Sequence, residues 1–583
     1  MRFFRIAKPI FLRRLPLCFV GMLVVATQSL GQAARSSEPQ SETVRGTVIN
    51  AVTQAPIPRA LVVTSDDRTG VLTDGEGHFE ITLPFIESGS AGGGMIFSGG
   101  HSGRPWPYGR HGNAYWFDAR KPGFLDDPSG RAHVAPSSGD DLTITLIPEA
   151  IIKGRITLAS SGEAPVGVMV QLFSRQVREG LPRWTPSSTV RANSAGEFRF
   201  AELEPGSYRL VTQEYMDNDP LTNIPGSQLY GFPPVYYPGG SDFSAASTIE
   251  LTAGQEFQAD ISLARQPYYP VKIPVAGAET RGGWNISVQG QRGPGYRLGQ
   301  NAAQQAIVGL LPNGIYVVDA STFGQNSVSG SVSIRVNGAA IDGPELTLVP
   351  KSSVRLDVRE EFTDTSSNTS ASWNDGKHTF SLHGPRTYLQ ATVESADDLE
   401  QPRFGSIRPP TGSNDDSLVI EDLSPGRYWL RLHTSRGYIA SATQGSTDLL
   451  RQPLKIDSST ATPIEVRVRD DVAELDGTVA TLALQSATAP GDGSADAAAV
   501  WIYLVPLPGG SGEFREITTS SGSEFTSPRM APGDYRVLAF STAQPHLAYR
   551  DAEVMKAYES KGPVVHLTAG QKTTVQVETI SSE

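Results

Sequence analysis

Leu423-Ser424-Pro425-Gly426-Arg427-Tyr428 is one of four copies of a short phrase, the others being Leu203-Glu204-Pro205-Gly206-Ser207-Tyr208, Leu311-Pro312-Asn313-Gly314-Ile315-Tyr316 and Met530-Ala531-Pro532-Gly533-Asp534-Tyr535. The glycines stand 108, 112 and 107 residues apart, too far for a solenoid repeat and right for a string of separately folded domains. Each copy lies between short apolar runs, such as Phe198-Arg199-Phe200 and Tyr208-Arg209-Leu210, or Leu418-Val419-Ile420 and Tyr428-Trp429-Leu430. The phrase therefore predicts a strand, a tight Pro-Gly turn and a returning strand. Its prolines, glycines and tyrosines are structural turn residues. The glycines are expected in turns that a side chain would strain, and the tyrosine hydroxyls are expected to bond nearby backbone as in a tyrosine corner.

Composition agrees with this reading. With 59 Gly and 42 Pro in 583 residues and apolar runs of five to seven, the chain reads as all-β and turn-rich, a tandem array of about five Ig-like β-sandwich domains. Helical periodicity beyond residue 31 is confined to a short piece around residues 552–559. Closing strands run almost directly into opening ones: 142–147 into 151–156, 261–263 into 271–273, 346–349 into 354–356, and 464–468 into 473–479. These joins place domains at 43–148, 149–266, 267–350, 351–470 and 471–583. Connections of two to eight residues cannot act as long tethers, so neighbours are expected at restricted angles in a semi-rigid rod.

The first 31 residues carry a secretory pattern: a basic stretch with Arg2, Arg5, Lys8, Arg13 and Arg14, an apolar stretch over 15–26, and a small-x-small site at Ser29-Leu30-Gly31. Residues 32–42 then read as a disordered linker. The apolar stretch is too short for a permanent anchor, so no membrane span is expected in the mature chain. Cys18, the sole cysteine, lies inside this segment, and the bulky Leu17 before it argues against a lipoprotein signal. Each domain must therefore be held by its hydrophobic core without disulfides. Export localises the protein to the periplasm, the cell surface or the medium.

Removing those five basic residues and no acidic one takes the formal charge from −12 to −17. An acidic surface disfavours nucleic acid and anionic membranes, both of which need basic patches against phosphate.

Within the first domain Val44-Arg45-Gly46-Thr47-Val48 is followed by Ala55-Pro56-Ile57-Pro58-Arg59-Ala60-Leu61-Val62-Val63 and Thr73-Asp74-Gly75-Glu76-Gly77-His78-Phe79. The second repeats the order as Ile152-Lys153-Gly154-Arg155-Ile156, Ala164-Pro165-Val166-Gly167-Val168-Met169-Val170 and Ala192-Asn193-Ser194-Ala195-Gly196-Glu197-Phe198. With the Leu-x-Pro-Gly-x-Tyr phrase, this order resembles the carboxypeptidase regulatory-like domain, a transthyretin-like β-sandwich grouped with carbohydrate-binding-like folds. The first two domains carry the resemblance fully, the fourth and fifth mainly at the turn, and the third weakly. The resemblance implies fold rather than activity: such modules are non-catalytic appendages of exported proteins, and long secreted bacterial chains consist of little else. The segments Val235-Tyr236-Tyr237-Pro238-Gly239 and Ile249-Glu250-Leu251-Thr252-Ala253-Gly254-Gln255 also resemble those chains.

Signatures of catalysis are scarce. The nine histidines are scattered, with no His-Glu-x-x-His pair for zinc. No nucleophile elbow joins a strand to a helix, and no Gly-x-x-x-x-Gly-Lys loop occurs. The turns at Asp74-Gly75-Glu76 and Asp217-Asn218-Asp219 lack the spaced oxygen series of a calcium loop. No metal, cofactor or enzymatic activity is expected.

Two stretches are candidates for binding. Phe79 to Tyr115 spans 36 residues where Phe198 to Tyr208 spans 10, and the excess, placed at 86–113, carries Arg104, Trp106, Tyr108, Arg110 and His111. Flat rings stack on the apolar face of a pyranose while Arg and His reach its hydroxyls, with packing on the sandwich edge as the plainer reading. The second stretch holds Tyr230, Phe232, Tyr236 and Tyr237, as a rim or, in the plainer reading, a cap over the sandwich end. Five further tryptophans, at 184, 284, 373, 429 and 501, fall in or beside strands and read as core. The function expected is an exported non-catalytic scaffold whose partner is an unidentified protein or polysaccharide at the cell envelope. Carbohydrate binding is the alternative, and an enzyme or peptidase accessory a distant third.

Overall fold

The computed structural model describes residues 41–580 apart from 65–67, 85–115, 126–132, 135–140, 166, 218–225, 278–282, 290–295, 323–326, 364–371, 375–378, 382–388, 397–403, 409–416, 458–461, 481–499, 509–511 and 520–523. Two compact units emerge. In the smaller, 1–44 with 82–113, the described residues end the strands Ser41–Asn50 and His78–Pro84, where the hydroxyls of Thr43 and Thr82 bond at 3.2 Å. The larger, 45–81 with 114–583, is an all-β tandem of sandwiches. Its described helical elements are the 3-10 turn Phe243–Ala245 and the short helix Ala552–Lys556, capped by Asp551.

Five times along the chain an opening strand lies parallel to a closing strand: 46–50 against 142–146, 151–153 against 256–258, 271–272 against 341–342, 356–361 against 464–469, and 474–480 against 572–578. Parallel neighbours cannot be joined by a tight turn, so the chain between them must travel out and return, closing each repeat on itself. Alternation then builds the core. In Ala150–Leu158, Ile152 and Ile156 are buried while Lys153 and Arg155 point to solvent. Successive cores gather within 150–263, 271–348, 354–468 and 473–577, and the first repeat buries Val48, Ile57, Phe79, Phe117 and Ile144.

The recurring phrase is an arch rather than the expected hairpin. Glu197–Leu203 pairs with Ala150–Leu158 in one sheet, while Gly206–Thr212 pairs with Met169–Arg178 and Ile249–Leu251 in the other. The same division holds for Leu418–Leu423 and Gly426–Thr434, whereas in the fifth repeat Glu524–Met530 and Gly533–Phe540 are non-adjacent strands of one seven-stranded sheet, joined through Ala473–Ala480 and Lys572–Ile580. In the second and fourth repeats the Pro-Gly step thus carries the chain across the core. Each tyrosine hydroxyl donates to the carbonyl four residues back: Tyr208 to Glu204 (2.7 Å), Tyr316 to Pro312 (2.9 Å), Tyr428 to Ser424 (2.8 Å) and Tyr535 to Ala531 (2.8 Å). Gly206 and Gly426 (φ 158°) and Gly533 (φ 143°) hold a positive φ that a side chain rarely adopts. A second positive-φ residue lies four positions earlier, at Glu202 (φ 55°), Asp422 (65°) and Arg529 (60°), where a bulge shifts the register.

Adjacent sandwiches share structure. The strand Gln266–Ala276 pairs on one side with Ala306–Pro312 and on the other with Leu229–Phe232, which in turn pairs with Tyr215–Met216. Strands contributed by the second repeat thereby extend the sheet of the third. Between the third and fourth repeats, the Ser327 hydroxyl donates to the Asp422 carboxylate.

Candidate functional site

Arg104, Trp106, Tyr108, Arg110 and His111 lie outside the described residues, as does the N-terminal export segment. The second candidate stretch is described, and its aromatics are largely interior. Phe232 is buried and stacks on Tyr215 with centroids 6.0 Å apart. Tyr236 is 2% exposed and packs edge-on against Phe243, so neither ring presents a stacking face to a ligand. Tyr237 is half-buried and meets Phe257 edge-on, and Tyr230 is half-buried beneath the Arg265 guanidinium, 3.9 Å from its centroid. Arg265 is in turn held by Asp217 at 2.8 Å. These contacts all lie within the second repeat. Trp184 likewise packs on Phe243 beside Arg209.

The turn acids are structural as well. Asp74 accepts the amides of Glu76 and His78, both at 2.9 Å, and Asn193 does the same for Ala195 and Glu197. These backbone bonds, His78 first, hold the Asp74 carboxyl below its ordinary value. Among the described residues no three His, Cys, Asp or Glu side chains come together, and no helix is long and apolar enough to cross a membrane.

Two junctions between repeats hold buried polar groups. At the first, Glu214 lies just before Tyr215–Met216 and accepts the Arg297 amide at 3.1 Å. It faces Tyr268, which is 1% exposed, and stands within electrostatic range of Tyr296 and Tyr316. Burial pushes the carboxyl up to about 7, against the lowering effect of the Arg297 amide and the Tyr268 hydroxyl. Burial also raises Tyr296 to about 12 and drives Tyr268 and Tyr316 upward.

At the second, the long hairpin Met169–Arg178/Leu181–Arg191 of the second repeat reaches the fourth and fifth. Its two-residue turn, Glu179 (φ 51°) and Gly180 (φ 75°), has the double positive φ that matches the twist of paired strands. Buried Arg183 donates to the Ser395 carbonyl at 3.0 Å. Arg178 stands 3.8 Å from Glu394, and Glu179 stands 3.8 Å from Arg431. The Gly180 carbonyl accepts the Arg550 amide at 2.9 Å, and beside it Tyr549 stacks on Phe514 with centroids 4.0 Å apart. A straight string of sandwiches would not bring the second repeat against the fourth and fifth. Arg178, Glu179, Arg183, Glu394, Arg431 and Arg550 are spread over the sequence without a local motif. The available signal was the Glu-Gly turn between two long strands.

No family model and no curated protein matches the chain. Among solved structures it is similar to a streptococcal ancillary pilin at 12% identity, covering 53% of this chain and all of that one, with a TM-score of 0.18. It is also similar to the shaft pilin of Lactobacillus rhamnosus GG, at 13% identity over 39% of this chain and 98% of that one, with a TM-score of 0.17. A third is the TIE protein of Bacillus anthracis, at 12% identity over 73% of each chain, with a TM-score of 0.14.

Proposed function

We propose that this chain is an exported, non-catalytic scaffold of the cell envelope, made of five domains at 43–148, 149–266, 267–350, 351–470 and 471–583. The observation that carries this reading is the sheet shared between the second and third repeats through Leu229–Phe232 and Gln266–Ala276. A continuous hydrogen-bonded ladder resists bending far better than a linker, so it fixes one sandwich against the next and holds their loops at a set geometry. Buried Arg183 and Tyr268 stand at junctions between repeats rather than in a cleft. Export rests on the basic, apolar and small-residue pattern of residues 1–31, and the domain type on the resemblance to carboxypeptidase regulatory-like modules.

The test uses the absence of any cysteine after Cys18. Spin labels at Glu163→Cys and Asn337→Cys, both exposed positions, should give a single narrow distance distribution. A broad distribution would refute a fixed spacing between these repeats. The same protein should show no retention on immobilised polysaccharides and no hydrolysis of peptides, esters or glycosides. Retention abolished by Trp106→Ala would replace the scaffold reading with carbohydrate binding through the 86–113 insertion.

A further inference from the structure

Glu214 stands at the root of the joint between the second and third repeats. It follows the core strand Gly206–Thr212 and directly precedes Tyr215–Met216, the strand that pairs with Leu229–Phe232. The ladder from Leu229–Phe232 to Gln266–Ala276 matches three residues with three, and one of them is Pro267, which has no N–H to give. Tyr268 couples the acid to this ladder: its hydroxyl faces Glu214, and its ring lies against Gly231, where an added methyl would meet it at 2.9 Å. Glu214 accepts the Arg297 amide through Oε2. Among the described residues, its Oε1 and the Tyr268 hydroxyl are both buried without a hydrogen-bond partner. The other groups that face it are Tyr296 and Tyr316, set edge-on with centroids 5.2 Å apart, and the Arg297 guanidinium, which donates to the neutral Gln213 side chain at 3.4 Å. The Tyr316 hydroxyl donates to the Pro312 carbonyl, and Asp217, three residues on from Glu214, pairs with Arg265.

We propose that Glu214 is a proton-operated pin between the second and third repeats, closed as the neutral acid and released as the carboxylate. A neutral carboxyl can donate its proton from Oε1 to the Tyr268 oxygen, which satisfies both atoms. A carboxylate in the same place holds its charge on an oxygen walled by phenols, and admitting water relieves it. Water between Glu214 and Tyr268 parts the ring from Gly231 and frees the three-residue ladder, so the repeats pivot without either core unfolding. A proton needs no open channel to such a group, because local fluctuations of the fold deliver it. Burial holds the carboxyl at about 7, so the pin is closed in acid and opens as pH rises through that value. The inference rests on the fixed spacing of these repeats in the scaffold reading.

The full chain spin-labelled at Glu163→Cys and Asn337→Cys reads the joint. At pH 5 it should give one narrow distance distribution, and at pH 8 the distribution should broaden or split and recover on re-acidification. The narrow fraction should follow a one-proton titration centred near 7. Glu214→Gln, neutral at every pH, should stay narrow at pH 8; if it fails to fold, Glu214→Met, neutral and of similar length, decides. A distribution narrow at both pH values would overturn the pin and leave the scaffold standing, whereas one broad at both would overturn the two together. Equal broadening with Glu214 and in Glu214→Gln would also overturn the pin.

Discussion

Phe525 lies across the bare α-carbon of Gly477: the two face each other on antiparallel strands, and a methyl group on Gly477 would come 2.0 Å from the ring. The same relation joins Gly154 to Phe198 and Gly46 to Phe79, at 2.7 and 2.6 Å. A glycine in a strand interior weakens it, and an aromatic laid over the gap restores the buried contact. Gly477→Ala should therefore cost about 1–3 kcal/mol, since the ring must leave its rotamer or the strands must part. Gly75→Ala, with nothing within 4 Å of the added methyl and no positive φ, should change stability little. Chemical denaturation of the two variants checks the contrast, and equal losses would refute the ring-over-glycine account.

The arches offer a second test. Tyr428→Phe keeps the ring, removes the bond to the Ser424 carbonyl and should cost about 1 kcal/mol. Tyr428→Ala also empties the core position and should cost about 3 kcal/mol, localised to the fourth repeat. Arg529→Gly should stabilise by about 0.5–1 kcal/mol, because the left-handed backbone at φ 60° burdens a residue with a Cβ. A loss of stability in Arg529→Gly would show that the bulge depends on its side chain.

Much of this was legible locally. The alternation of Ile152, Lys153 and Phe198, Arg199, Phe200 marks strands and their buried face, and the phrase ending in Tyr208 marks the core crossing through its tyrosine. The destination of each strand was not legible, because Leu203 and Gly206 end in opposite sheets through partners some 50 residues away. Aromatic content alone also misled at Phe232 and Tyr236. A loop rich in rings has the same composition whether the rings face solvent or, as here, the interior of their own repeat. The Arg183 to Ser395 bond spans 212 residues, and no periodicity encodes it.

Glu214 gives a pH dependence with a definite sign. Its carboxyl titrates at about 7 in the folded chain against an ordinary 4.5, so between those values the folded state holds a proton that the unfolded state has lost. Stability contributed by the neutral acid is thus fully present below about 4.5, falls as pH rises towards 7, and stays lost above it. The total is on the order of 3 kcal/mol at most. Thermal unfolding from pH 5 to pH 8 should show the junction of the second and third repeats weakening, and Glu214→Gln should flatten that slope. An unchanged slope in Glu214→Gln would assign the dependence to another group.

The hairpin turn makes a prediction about coupling between distant repeats. Gly180 has φ 75°, and a methyl there would meet the Tyr549 ring at 2.6 Å. Alanine at this position both strains the turn, by about 1–2 kcal/mol, and drives the tip away from the ring that stacks on Phe514. The Arg550 amide then loses its bond to the Gly180 carbonyl. Hydrogen exchange at Arg550 should accelerate at least tenfold in Gly180→Ala, since loss of about 1.4 kcal/mol of protection suffices. The amides of Leu210 and Val211, in the strand that crosses the second core, should exchange as before, because Tyr208 and the sheet around it do not touch the turn. Acceleration across the whole second repeat would mean that the hairpin is part of that sandwich's own stability. Acceleration confined to the tip and to Arg550 would mean that it serves to hold the second repeat against the fifth.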